Sequence, residues 1–252
     1  MAGGTHRVPA TGDLLAAAAD IIAAAAATGT TLRLLGGLAV FQLSESARRP
    51  PLARRYQDFD LVVPPGQGQS AAAVFLERGY AEDAYFNALH GAHRMVFTSA
   101  DGFAVDLLVG SFQMCHRLKL GQDLPDSGLT VHPADLMLTK LQIVQIEEKD
   151  LLDAAALLVD LPVSRSETGI DVGRFTAPLA GDWGFFHTVE LNLPKVVHFA
   201  ADRLDESETR RVAHRATALR RAMEAVPKSL RWKARARIGE RLPRYEMPEE
   251  VG

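Results

Sequence analysis

Two carboxylates spaced two residues apart on a strand must project from the same face. Asp58-Phe59-Asp60 sets such a pair at the head of an apolar run, Leu61-Val62-Val63, which Pro64-Pro65-Gly66 terminates. Acidic side chains on a sheet are costly to bury unless they are paired or bound to a cation. A third acid, Asp106, sits inside Ala104-Val-Asp-Leu-Leu-Val109, with Arg94-Met-Val-Phe97 before it. The intervening Ser99-Ala-Asp-Gly102 carries Asp-Gly between apolar alternations, a strong hairpin signal. If this hairpin pairs beside the first strand, Asp106 joins Asp58 and Asp60. Three such groups repel one another, and a hard divalent cation such as Mg²⁺, which takes carboxylate oxygens and substrate phosphates, is their natural neutraliser.

A second feature lies just upstream. Thr31-Leu-Arg-Leu-Leu35 reads as a strand, Gly36-Gly37 as a turn, and Leu38 to Ser46 as a helix. The mouth of a helix after a glycine turn is where backbone N–H groups and the helix dipole favour a phosphate. Before it, the alanine-rich stretch from Leu14 to Thr28 predicts an amphipathic helix with Leu14, Leu15, Ile21 and Ile22 turned inward. Asp20 interrupts it, and alanine partitions weakly, so neither a bilayer span nor a secretory signal is expected. Arg48 to Arg54 with Pro50-Pro51 reads as loop, Gln69 to Gly79 as helix, and Leu129-Thr-Val131 as an edge strand. Pro133 suits the first turn of a helix running from Ala134 to Ile146. Lys149 to Asp160 predicts another, with Leu151, Leu152, Ala155, Leu158 and Val159 on its apolar side. Pro162 to Gly169 looks like a linker, and only helical patterns follow from Ile170 to Met223.

The expected class is therefore α+β: a mixed sheet flanked by helices over residues 1–132, then a helical region over 133–252. With 47% hydrophobic and 23% charged residues the chain is not of disordered type. Its single cysteine, Cys115, excludes an internal disulfide framework and a four-thiolate zinc site and suits a cytoplasmic protein.

Leu35-Gly36-Gly37, Asp58-Phe59-Asp60 and Val105-Asp106-Leu107 together resemble the hallmark of the DNA-polymerase-β-like nucleotidyltransferase superfamily. Arg54-Arg-Tyr-Gln-Asp-Phe-Asp60 is similar to the R-x-T-x-D-x-D run of its minimal members, the AbiEii and MenT toxin-like group. Leu138-Thr-Lys140-Leu141 and Lys149-Asp150-Leu-Leu-Asp153 look like the K-L and R-D-x-x-D helices of that group. The chain departs from the pattern at Leu38, where many members have Ser or Thr, and at Tyr56, where a small Thr is usual. The resemblance implies transfer of a nucleoside monophosphate from an NTP to an acceptor hydroxyl. In that scheme Asp58, Asp60 and Asp106 hold two Mg²⁺ ions. Gly36, Gly37, Arg54, Lys140, Lys149, Asp150 and Asp153 serve the nucleotide. A tRNA 3′ end, a protein side chain and a small hydroxylated molecule stay open as acceptors, and an antitoxin is an implied partner. A non-catalytic nucleotide- or RNA-binding protein on the same fold is the alternative.

Charge is uneven along the chain. Between Arg210 and Arg244 stand 12 Lys and Arg against Glu224 and Glu240, a net of +10 in a chain of net −3, so the remainder carries −13. Such a segment suits a polyanion, and Trp232 within it offers a base-stacking surface. The alternative is a solvated helix face. His90 and His93 read as surface-loop histidines, and Cys115 beside His116 lacks the partner a thiol nucleophile needs. Trp183, Phe185 and Phe186 read as core.

Overall fold

The sequence folds as an α+β protein. The computed structural model describes residues 10–166 and 168–246. Two units divide them: the first runs through Gln42 and includes Arg55–Phe112 and Lys119–Val131, and the second holds Leu43–Arg54, Gln113–Leu118 and the chain from His132 onward.

The first unit is built on five strands, β1 (Arg33–Leu35), β2 (Asp58–Val63), β3 (Ala81–Glu82), β4 (Arg94–Thr98) and β5 (Ala104–Val109). Their spatial order is β1-β2-β5-β4-β3. β2 runs parallel to β5, while the β1–β2, β4–β5 and β3–β4 pairs are antiparallel. Gly102, at φ +85°, makes the hairpin turn between β4 and β5, and its N–H reaches the Ser99 carbonyl at 3.0 Å. The expected edge strand at 129–131 reduces to a bridge between Thr130 and Leu34.

Helices α1 (Thr11–Ala27), α2 (Gly36–Leu43), α3 (Gly68–Glu77) and α4 (Ala84–His90) complete the unit. α1 buries Leu14, Ala18, Ile21, Ile22 and Ala25, one stripe at helical spacing. Leu15 is only half-buried, because the next residue round a helix is turned by about 100° from Leu14. On the sheet, Phe59, Leu61 and Val63 of β2 and Val105 and Leu107 of β5 are buried. Phe75 of α3 stacks on Phe97 of β4 at 4.5 Å.

The second unit contains α5 (Pro133–Leu141), α6 (Glu148–Asp160), α7 (Val172–Gly181), α8 (Trp183–Arg203), α9 (Glu206–Ala225) and α10 (Leu230–Ile238). Side chains of Asp171, Asp182, Asp205 and Ser229 cap the last four. α6 packs against α5, α8 and α9. Its buried side is Asp150, Asp153 and Ala154 to Val159, whereas Leu151 and Leu152 are half-buried. α5 stops at Leu141 and not at Ile146, and Asn192 Nδ2 satisfies the Leu141 and Ile143 carbonyls at 2.9 and 2.8 Å. The stretch read as a linker pairs Val163–Ser164 in parallel with Ile170–Asp171, so this region is not purely helical. The early segment Leu43–Arg54 belongs to this unit because polar bonds tie it to α6. Ser46 N and Oγ reach Asp160 Oδ2 at 2.8 and 2.7 Å, and Arg54 pairs with Asp153.

Candidate functional site

Residues opposite each other in a ladder share a face of the sheet. Asp60 stands opposite Asp106 across the parallel β2–β5 pair, and Asp58 opposite Ala104. Asp58, Asp60 and Asp106 therefore project from one face. Burial along that face is graded: Asp58 is exposed, Asp60 and Asp106 are half-buried, and Val62 and Leu108 beyond them are buried. The acids sit where the strands emerge from the core, which spares them most of the desolvation cost.

The glycine corner meets this face directly. Leu35 pairs with Asp60 across β1–β2, and Gly36 follows at φ +68° to open α2. A Cβ at Gly36 would stand 1.9 Å from Asp60 Oδ2. Both the backbone conformation and the approach of the carboxylate demand glycine here. Leu38 and Tyr56, the two departures from the nucleotidyltransferase pattern, are buried, and the Tyr56 ring packs edge-on to Phe41 at 5.6 Å. Leu38 is thus a core residue of α2, with no side-chain polar atom to offer a phosphate.

Asp106 has a partner that sequence reading missed. Arg94 Nε donates to Asp106 Oδ1 at 2.9 Å and Nη2 to Oδ2 at 3.0 Å, a two-pronged charged pair. Val96 is the residue opposite Asp106 on the antiparallel strand, and Arg94 precedes it by two on the same face. That parity follows from the hairpin register, so the Asp-Gly turn could have pointed to Arg94. The guanidinium also lies 5.5 Å from the Phe86 ring centre.

The donor chemistry suits Mg²⁺. Carboxylate oxygens are the right type, and Mg²⁺ is usually held by one or two carboxylates plus substrate phosphates and water, not by an all-protein cage. Among the described residues no group of three or more His, Cys, Asp or Glu is drawn together as a ready-made metal cage. At Asp106 the Arg94 guanidinium already occupies one lone pair of each carboxylate oxygen. Asp58 and Asp60 would be the first to hold an ion at the glycine corner.

The remaining nucleotide candidates lie in the second unit, where Arg54, Lys140, Asp150 and Asp153 form a buried ionic group. Arg54 grips Asp153 with two bonds of 2.9 Å, and Lys140 Nζ lies 2.9 Å from Asp153 Oδ2 and 3.8 Å from Asp150 Oδ1. Two cations face two anions, which neutralises the cluster. Burial pushes the Asp153 carboxyl up, but Lys140 and Arg54 together outweigh it and hold it below its usual value. Asp150 goes the other way: burial raises it, and Lys140 only partly offsets this. Asp150 Oδ2 is buried with no hydrogen-bond partner among the described residues. Lys149 is instead an exposed residue paired with Glu147 at 2.9 Å. That hydrogen bond raises its pKa.

Other residues flagged by sequence fall outside both groups. His90 ends α4 and is exposed, as is His93. Cys115 is buried, its sulfur accepting from Val144 N at 3.4 Å. His116 is buried against Phe185 at 5.0 Å, and desolvation lowers its pKa to about 4. Phe185 and Phe186 are core residues as expected, whereas Trp183 is half-buried and lines a cavity. In the basic segment Arg215 caps the Leu158 and Val159 carbonyls, and Arg235 takes those of Gly239, Leu242 and Pro243. Those arginines are structural. Trp232 is half-buried too, its ring meeting Phe186 edge-on at 5.3 Å with Lys228 Nζ 5.6 Å away.

No family model and no curated protein matches the chain. Among solved structures it is similar to the antibiotic-resistance factor ANT(2'')-Ia, at 13% identity and a TM-score of 0.43 over 92% of this chain and 100% of that one. It is also similar to an antigenic nucleotidyltransferase-like protein from Paracoccidioides brasiliensis, at 13% identity and a TM-score of 0.40 over 87% of this chain and 94% of that one. Similarity this loose carries no chemistry by itself. No helix among the described residues is long and apolar enough to cross a membrane.

Proposed function

We propose that this chain is a Mg²⁺-dependent nucleotidyltransferase that moves a nucleoside monophosphate from an NTP to an acceptor hydroxyl. The observation that carries the reading is the shared face of Asp58, Asp60 and Asp106, with Asp60 seated against the Gly36 corner. Mg²⁺ bound there would neutralise the triphosphate and, as a pair of ions, steady the attacking and leaving oxygens.

The chain's own groups take the following parts in this proposal. Asp58 and Asp60 would hold the ion that accompanies the nucleotide. Gly36 and Gly37, at the start of α2, leave room for phosphate oxygens beside the backbone. Asp106, if released by Arg94, would complete a second ion site and take the proton of the attacking hydroxyl. A bond forms from that oxygen to the α-phosphorus, the bond to the β-phosphate oxygen breaks, and pyrophosphate leaves. The nucleotide-binding roles of Arg54, Lys140, Lys149, Asp150 and Asp153 belong to the same proposal. The basic segment between Arg210 and Arg244 favours RNA, a tRNA 3′ end in particular, as acceptor. A cytoplasmic setting and an antitoxin partner complete the toxin-like reading.

Incubation with each labelled NTP, Mg²⁺ and total tRNA tests this. Label should pass to the acceptor with release of pyrophosphate, and Asp58→Asn and Asp60→Asn should each lower the rate by at least about a hundredfold, given that even groups supporting metal ligands cost 10–100-fold. A folded protein that labels no RNA, protein or small-molecule pool would refute the proposal. One observation favours a second reading, a nucleotide-binding module without catalysis: the Arg94 clamp already neutralises Asp106. That module would bind NTP in calorimetry equally well with and without Mg²⁺ and release no pyrophosphate.

A further inference from the structure

The second unit contains a cavity of about 420 Å³ between the α7–α8 turn, α10 and the chain that follows it. Trp183, Arg231, Trp232, Arg235, Ile238 and Arg244 line it. None of Asp58, Asp60 and Asp106 lines it, but Arg231, Arg235 and Arg244 belong to the basic segment proposed to meet RNA, so the RNA form of this inference rests on that reading. From these residues we infer a binding site for a phosphoryl group.

Its charge is the first reason. Arg231, Arg235 and Arg244 line it with one acid, Asp182, whose carboxylate already accepts the Phe185 N–H as the cap of α8; Arg235 is held by the Gly239, Leu242 and Pro243 carbonyls, and Glu240 lies beside Arg244. An excess of positive charge in a partly enclosed space favours the entry of an anion. Unused donors are the second reason. Trp232 Nε1 and Arg244 Nη1 are both buried and have no hydrogen-bond partner among the described residues. Arg244 is not loosely placed: its side chain is 13% exposed and Nε lies 3.5 Å from Glu240. Its carbonyl oxygen sits so close to Gly184 that a Cβ there would be 2.2 Å away. Two fixed donors with no acceptor among the described residues, on residues that line a cationic cavity, favour an oxyanion.

The aromatic rings narrow the ligand. Trp183 is stacked by His187 at 5.0 Å and has the Arg235 guanidinium 4.8 Å from its ring centre. Trp232 has the Phe186 and Lys228 contacts described above. Rings engaged in this way are poorly placed to stack on a base, so the cavity reads charge and oxygen geometry. The base-stacking role expected of Trp232 gives way to an N–H donor role. A phosphoryl group presents the oxygens that arginine recognises, and it arrives either as a free polyphosphate or as a phosphodiester of RNA.

Both tryptophans of the chain line this cavity, so selectively excited tryptophan fluorescence reports on it. Full-length protein is titrated with sodium pyrophosphate and, separately, with a short single-stranded RNA. A saturable fluorescence change with either probe is expected. Arg231→Gln and Arg244→Gln should each weaken half-saturation by about tenfold, the scale of one lost charged hydrogen bond. Trp232→Phe, which keeps a ring but removes the N–H, should weaken it too, read through Trp183. A response to pyrophosphate identifies a free-phosphate site, and a response to RNA alone identifies a backbone site whose affinity falls with salt. No change with either probe, or a change that the arginine variants leave intact, overturns the inference. Asp58→Asn protein should respond like wild type, so loss of transfer and loss of this site are separate results.

Discussion

Arg94 and Asp106 face each other across β4 and β5 through two parallel hydrogen bonds of 2.9 and 3.0 Å. The pair is partly exposed, with side chains 37% and 24% accessible, so it contributes little to stability. Its consequence is local: the one carboxylate that shares a register position with Asp60 already carries a cation. Replacing Arg94 with Gln frees that carboxylate. Mn²⁺ binding followed by electron paramagnetic resonance should tighten by about tenfold, a change of about 1.4 kcal/mol. Adding Asp106→Asn should cancel the gain. Unchanged Mn²⁺ affinity in Arg94→Gln would remove Asp106 from the proposed metal site.

Gly36 and Gly29 separate backbone strain from steric conflict. Both have positive φ, +68° and +75°, but a Cβ at Gly29 meets nothing within 4 Å, whereas one at Gly36 runs into Asp60. Gly29→Ala should cost about 1–2 kcal/mol, the left-handed penalty alone. Gly36→Ala should cost a further 1–3 kcal/mol, roughly the overpacking cost. Urea unfolding of both variants measures the difference, and equal losses would mean that Asp60 does not press on the glycine corner.

Lys140 balances two buried acids. Lys140→Met leaves Asp150 and Asp153 with Arg54 as the remaining cation of the cluster. The expected loss is about 3–5 kcal/mol, as when one partner of a buried pair is removed. Lys140→Met combined with Asp150→Asn should recover part of it, because the charge count is again even. No recovery in a double-mutant cycle would show that Asp150 is not coupled to Lys140.

His116 makes stability depend on pH. The Thr188 hydroxyl donates to the Gly184 carbonyl at 3.1 Å, so it accepts from His116 Nε2 at 2.8 Å and the ring is neutral with its proton on Nε2. The folded pKa is about 4 against 6.5 for the free side chain. Between those values the unfolded chain binds the extra proton, so this contribution is complete above about pH 6.5 and falls as the pH drops toward 4. The loss over that window should approach about 3 kcal/mol. Urea melts at several pH values would reveal it, and His116→Gln should flatten the slope. A wild-type slope that survives the substitution would assign it to other groups.

The carboxylate pair shows how far local pattern reaches. Strand geometry alone puts Asp58 and Asp60 on one face, and β2 begins and ends where its sequence predicts, at Asp58 and Val63. The Asp-Gly turn likewise fixes the β4–β5 hairpin, because glycine at positive φ is needed there and little else competes. Elements bounded by side-chain contacts from far along the chain were less legible. α5 ends early because Asn192 claims the carbonyls after it, and no signal near residue 141 announces that bond.

What the sequence determined by itself was therefore local: β2, the glycine corner, the β4–β5 hairpin and the types of the acidic groups. Only tertiary structure decided who meets whom. The parallel register that sets Asp60 beside Asp106, the Arg94 clamp, and the burial of Lys140 between two acids all join residues distant in sequence. The physical reason is that alternation and turn chemistry act over a few residues. Pairing between non-adjacent strands, and the sharing of charge inside a helical core, depend on the free energy of the whole packed arrangement.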